Sequence, residues 1–220
     1  MHLRNTKTVL VVGGDGFCGW PTALHLSAAG YAVTIADNFS RRRIDRELGA
    51  ESLTPIRTME ERLAAWRRVS RRIIDFVELD VAQDYAGLRD LLARLAPDAV
   101  VHFGEQRAAP YSMRDAARKI YTVDNNINAT HNLLAALVDL DLDAHLVHLG
   151  TMGVYGYEGD GLEIPEGYLD VTVAGPDGTA HPRSILYPTR PGSVYHLTKS
   201  MDQLLFQFYA RNDGLRITDL

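Results

Sequence analysis

The sequence predicts an α/β protein: a Rossmann-type doubly wound parallel sheet with a β-hairpin inserted outside it. Three observations carry this expectation. Short β-branched runs alternate with amphipathic stretches along the chain. A glycine-rich turn joins the first such run to the first helical pattern. Late in the chain, alternating apolar residues flank Pro176-Asp177-Gly178. Strand, crossover and strand repeated in this way imply parallel pairing with helices on both faces. Near-continuous apolar strands fit burial on both sides.

Taken in order, strands are predicted at TVLVVG near Val9, AVTIAD near Val33, IIDFVEL near Ile74, DAVVHFG near Val100, AHLVHLG near Val147 and LRITDL at the end. Helical patterns follow Phe17 and run over Tyr85 to Leu95, Met113 to Leu140 and Val194 to Asn212. Two segments break the alternation. Arg41 to Arg72 is charged and helical in character. Gly156 to Gly192 is rich in Gly and Pro, and its Pro-Asp-Gly turn predicts the hairpin. No repeat, low-complexity linker or domain boundary interrupts residues 1–220, so one unit is expected.

A net charge of −5 argues against a nucleic-acid partner, because no basic surplus exists to displace counterions from a phosphate backbone. Arg41 to Arg43 are a local exception, readable as a solvated helix start. The single cysteine, Cys18, allows neither an intrachain disulfide nor a CxxC knuckle, and none of the eight histidines forms an HExxH pair; no metal site is expected. The apolar run near the N-terminus is too short for a membrane span and lacks a cleavage pattern. A cytoplasmic location and no membrane partner are the expectation.

Chemistry concentrates in three places. GGDGFCG, Gly13 to Gly19, stands between the first strand and a helix, with Gly13, Gly16 and Gly19 in a GxxGxxG pattern. Missing side chains there let the backbone approach a pyrophosphate at the positive end of a helix. Asp37 ends the second strand, where it would accept bonds from ribose hydroxyls and repel a 2′-phosphate, favouring NAD over NADP; Arg41 to Arg43 complicate that preference. Asp80-Val81 follows the third strand, and Asp80 reads equally as an adenine partner or a helix cap. Finally, Tyr195 and Lys199 in YHLTK lie four apart on one helical face, where the ammonium would lower the tyrosine pKa. The phenolate could then take a proton as hydride leaves a substrate carbon. Thr151, at the end of the fifth strand, would hold the reacting oxygen.

With these motifs the chain resembles the extended short-chain dehydrogenase/reductase family of nucleotide-sugar enzymes. YTVDNNINATHNLL from Tyr121 is similar to the family's YxxxNNVxGTxxLL helix, with Ala129 in place of glycine and Asn126 on its structural and catalytic asparagine. Within that family, GGDGFCGWPTALHLS, LGAESLTPI, VHFGEQRAAPYSM, LGTMGVYG, EGYLDV from Glu166 and YHLTK resemble the sulfoquinovose synthases over essentially the whole chain. There, bound NAD transiently oxidises C4 of UDP-glucose, water is lost across C5 and C6, and sulfite adds at C6.

The resemblance implies roles. Thr151, Tyr195 and Lys199 would be catalytic. NAD would contact Gly13, Gly16, Phe17, Cys18, Gly19, Asp37, Asn38, Arg41, Asp80, Val81, Phe103, Gly104, Asn126, Tyr195 and Lys199. Arg107, Thr151, Met152 and His196 would meet the UDP-sugar and sulfite. Arg107 also reads as a helix-edge arginine. His196, placed away from Lys199 by periodicity, also reads as a packing residue. Val154 stands where the synthase pattern has a glutamate that could serve dehydration. The family continues past a point equivalent to Leu220 into a part that binds the uridine diphosphate, so the chain is expected to be an N-terminal, NAD-binding portion with little turnover alone. A homodimer through the helices from Met113 and Val194 is a further implication. The alternatives are a nucleotide-sugar 4-epimerase or dehydratase, and a non-catalytic NAD-binding module.

Overall fold

The structure is a computed structural model that describes residues 7–157, 163–164 and 167–220. Glu166, which opens the EGYLDV motif, and the first six residues lie outside the described set.

All six predicted strands form. They are β1 (Thr8–Val12), β2 (Ala32–Asp37), β3 (Ile74–Glu78), β4 (Ala99–His102), β5 (His145–His148) and, after the hairpin strands, β8 (Arg216–Asp219). They make one sheet in the order β3-β2-β1-β4-β5-β8, parallel at every pairing. The order reverses between β1 and β4, so a crevice opens beyond their carboxyl ends.

Helices α1 (Gly19–Ala28), α2 (Ser40–Glu47), α3 (Met59–Ser70), α4 (Tyr85–Leu95), α5 (Ala109–Ser112), α6 (Ala116–Asp139) and α7 (Val194–Asn212) connect the strands. Strand periodicity divides the core between the two faces. Leu10, Val100 and Leu146 pack with Leu88 and Leu92 of α4, Leu133 and Leu137 of α6, and Phe206 of α7. Val9, Val11, Val33 and Ile35 pack on the opposite face with Ala23 of α1 and Met59 of α3.

The charged excursion after β2 resolves into α2 and α3. A capping box starts α3, with Thr58 accepting from Glu61 N and Glu61 bonding back to Thr58 N. The helix expected from Met113 starts later, because Pro110 initiates the short α5 and Asp115 then caps α6 by accepting from Arg118 N. Ser193 caps α7 in the same way through His196 N. The hairpin is present as β6 (Tyr168–Ala174) and β7 (Ala180–Leu186), an antiparallel ribbon apart from the main sheet.

Candidate active site

The crevice beyond β1 and β4 is a cleft of about 500 Å³. Its floor is the glycine turn. Gly13 holds φ +79°, and a Cβ there would fall 2.5 Å from the Phe103 backbone. A Cβ on Gly19 would fall 2.2 Å from the Gly13 carbonyl oxygen, so glycine is what lets α1 lie against the turn. At Gly16 the added atom would meet only that same carbonyl, at 3.1 Å. No side chain caps the N-terminus of α1. A glycine cradle under an uncapped helix end is suited to a diphosphate.

Of the residues expected at a cofactor, all but one line this cleft: Gly13, Gly16, Phe17, Cys18, Gly19, Asp37, Asn38, Arg41, Asp80, Val81, Phe103, Gly104, Tyr195 and Lys199. Arg107 lines it too, in the loop after β4. Asn126 is the exception. It is fully buried, donates to the Gln106 carbonyl and Thr198 Oγ1 and accepts from Gln106 N. Its neighbour Asn125, one helical step round α6, reaches the cleft instead.

Asp37 accepts from Asp15 N at 2.9 Å and Phe39 N at 2.7 Å. Burial raises its pKa, and those two amides work against the rise. Asp80 is not the helix cap. It accepts from Ala82 N and Gln83 N at the turn into α4, and from Asn38 Nδ2 on the cleft side. The helix cap itself is Asp84, which accepts from Gly87 N.

The arginine cluster is not a solvated helix start. Arg42 holds Asp15 with two bonds, of 2.7 and 2.6 Å, Arg62 adds one of 2.7 Å, and Arg41 approaches within 3.6 Å. Arg43 donates to the Asn38 carbonyl.

At the other end of the cleft, Tyr195 and Lys199 share one face of α7 as expected. The tyrosine pKa is nevertheless raised, because burial outweighs the pull of Lys199. Lys199 is committed elsewhere: its Nζ donates to the Leu149 carbonyl at 2.8 Å and pairs with Glu105 Oε2 at 2.8 Å. His148 Nε2 lies 2.9 Å from Glu105 Oε1, and its Nδ1 lies 2.6 Å from Asp219 Oδ1. These carboxylates overcome burial and raise His148 to about 9. His102, fully buried, is pushed down to about 3 by desolvation and stays neutral. Asp202 completes the group with both oxygens buried and without a hydrogen bond among the described residues. Desolvation first, and Glu105 second, raise it to about 8.

Neither Glu105, His148 nor Asp202 was singled out in the sequence. The two histidines sit on strands whose runs read as apolar, and only the pairing of β4 with β5 brings them together. The ligand atoms of His102, Glu105 and His148 fall within 4.8 Å of one another, as a metal site would require. The Lys199 ammonium already stands among them, 2.8 Å from His148 Nε2.

Three expected substrate residues lie outside the cleft lining. Thr151 heads a 3₁₀ turn, Met152–Tyr155, after β5, and its Oγ1 accepts from Gly153 N. Met152 is 85% exposed. His196 corrects the expectation that it faces away from Lys199. Three residues on in a helix is a turn of only about 60°, and both side chains are buried. His196 meets the Tyr157 hydroxyl and Ser193 Oγ and occupies the space that a Cβ on Gly153 would need. Val154 is 1% exposed, so the position where the synthase pattern has an acid is interior here.

Among the described residues no helix is long and apolar enough to cross a membrane. The chain is 44% identical to the chloroplastic UDP-sulfoquinovose synthase of Spinacia oleracea over 97% of its own length and 43% of that protein. It is 38% identical to the UDP-sulfoquinovose synthase of Sulfolobus acidocaldarius, over 96% of this chain and 52% of the other. It therefore spans about half the length of these relatives. The structure of UDP-glucose 4-epimerase from Brucella ovis in complex with NAD superposes with a TM-score of 0.68 at 27% identity, covering 97% of this chain and 51% of that one. The model of the NAD dependent epimerase/dehydratase family matches residues 9–220, and this chain belongs to that family.

Proposed function

We propose that residues 1–220 form the NAD-binding portion of a nucleotide-sugar enzyme of the sulfoquinovose-synthase type, which converts UDP-glucose and sulfite to UDP-sulfoquinovose. The observation that carries this reading is one continuous cleft, running from the glycine cradle to Tyr195 and Lys199. In that cleft Asp37 would hold the adenosine ribose, Asp80 and Val81 the adenine edge, and the α1 N-terminus the diphosphate. Bound NAD would accept a hydride from the sugar and later return it. Tyr195 would take the proton from the sugar O4 and give it back, with Lys199 favouring the phenolate and Thr151 holding the oxygen. Arg107, exposed at the cleft edge, supplies a fixed cation for a diphosphate or sulfite. Val154, interior where the synthase pattern has a glutamate, is a departure from that pattern, and the dehydration step would need its acid from elsewhere.

Product analysis with UDP-glucose, with and without sulfite, tests the reading on a protein of the relatives' full length. A sulfonated sugar nucleotide formed only with sulfite supports it. UDP-galactose formed without sulfite would establish instead the 4-epimerase reading, which the likeness to the Brucella ovis enzyme favours. A non-catalytic module is disfavoured because both Tyr195 and Lys199 line the cleft. We also propose that the chain pairs with a second copy through α6 and α7. Leu197, Met201, Leu204 and Phe208 form an exposed apolar stripe at helical spacing on α7, and Ile120 of α6 is 61% exposed.

A further inference from the structure

Asp15 occupies a variable place in the GxxGxxG turn, yet its side chain is only 1% exposed and three guanidinium groups converge on it. Arg42 and Arg41 come from α2, and Arg62 comes from α3. Arg62 also stacks on Trp20, its guanidinium 4.1 Å from the ring centroid. The backbone N–H of Asp15 donates to Asp37 Oδ2 at 2.9 Å, which puts this cluster directly behind the carboxylate expected to read the ribose. Arg41 lines the cleft beside Asp37, and its second partner is Asp45 at 3.2 Å. Its Nε is buried without a hydrogen bond among the described residues. Three arginines thus face three aspartates, Asp15, Asp37 and Asp45, in near balance of charge.

We infer that Asp15 is a specificity-determining residue for the cofactor: it holds Arg42 and Arg62 away from the ribose 2′ position and, with Asp45, offsets the charge of Arg41 at the cleft wall, so that Asp37 decides against a 2′-phosphate. This rests on the proposed NAD reading. Guanidinium groups are strong phosphate partners when free. Asp15 spends their donors on a buried carboxylate before a ligand arrives, and α2 and α3 are pinned to the glycine turn by the same bonds. Without the Asp15 charge, one net positive charge would remain beside Asp37, and Arg41 and Arg42 would be available to a 2′-phosphate.

The test is titration of the 220-residue chain with NAD⁺ and NADP⁺, followed by calorimetry, for the wild type, Asp15→Asn and Arg42→Met. The wild type should bind NAD⁺ much the tighter. Asp15→Asn should narrow the NAD⁺-over-NADP⁺ preference by on the order of tenfold, and Arg42→Met should widen it. A wild type that binds neither dinucleotide overturns the NAD reading itself. A wild type that binds NAD⁺ while Asp15→Asn leaves the preference unchanged overturns the role of Asp15 alone. Should Asp15→Asn lack a cooperative melt, Arg42→Met decides: a wider preference supports the inference, and an unchanged or narrower one overturns it.

Discussion

Lys199 is held by groups it would otherwise attract to the cleft. Its ammonium pairs with Glu105 and donates to the Leu149 carbonyl, both at 2.8 Å, and lies beside His148 Nε2. One nitrogen of His148 cannot donate to Glu105 and accept from Lys199 at once. With carboxylates at 2.9 and 2.6 Å on its two nitrogens, the imidazolium is the form that fits, and Glu105 bridges two cations. Removing one partner of such a buried pair strands the other. Lys199→Met should therefore cost roughly 3–5 kcal/mol, and adding Glu105→Gln should recover part of it; a double variant no more stable than the single one would refute the coupling. Tyr195→Phe should leave NAD affinity intact while abolishing NADH formation on the sugar nucleotide in a full-length protein. Gly19→Ala, whose new atom would meet backbone 2.2 Å away, should cost about 1–3 kcal/mol in chemical denaturation.

At the scale of elements, α7 serves two environments. Its inner face carries Lys199 and Asp202, and its outer face carries the apolar stripe. Leu204→Glu with Phe208→Glu should yield monomers by sedimentation without loss of fold, if the stripe joins two copies. The inner face gives stability a pH dependence whose sign follows from both titrating groups. His148 rises from 6.5 to about 9, so its contribution is full below 6.5 and is lost as pH climbs through 9. Asp202 rises from 3.8 to about 8, so the fold favours its protonated form and loses stability as pH passes through 8. The melting temperature should fall between pH 6.5 and 9, and Asp202→Asn should flatten that slope; a rise over this window would contradict both groups. Elements were the most legible part of the sequence. Apolar runs marked all six strands of the sheet, and Pro176-Asp177-Gly178 marked the hairpin. The buried charges were not legible. Glu105 sits in a loop, His102 and His148 alternate within apolar strands, and Asp15 stands between two glycines; each acquires its partners only from non-local pairing. Asn126 and His196 lie outside the cleft lining for a related reason, since a single helical step decides which side chain reaches a cleft.

For the molecule as a whole, the cleft joins distant regions of the chain: the turn after β1, the ends of β2 to β5, α2, Asn125 of α6, and α7. A ligand that spans it should stabilise the entire fold by mass action. At one hundred times its dissociation constant, NAD should add about 2.7 kcal/mol, read as a raised melting temperature. AMP, reaching only the Asp37 end, should add less at equal concentration. Much of this cleft was foreseeable, because glycine turns, strand-end acids and the YxxxK pair are local signatures. The electrostatics around it were not, because the arginines that face Asp15 arrive from 26 to 47 residues away.

The bond from His148 to Asp219 has a consequence for biosynthesis. It joins residues 71 apart, and Asp219 lies at the end of β8, the edge strand beside β5. A nascent chain emerging from the ribosome can complete β1 to β5 and α6 while His148 still lacks its second carboxylate. The imidazolium, and with it the final charge state around Lys199, is set only when β8 docks. Refolding followed by the His148 ring resonances should therefore lag refolding followed by helix formation, so that the charge arrangement around Lys199 forms after the helices that frame it.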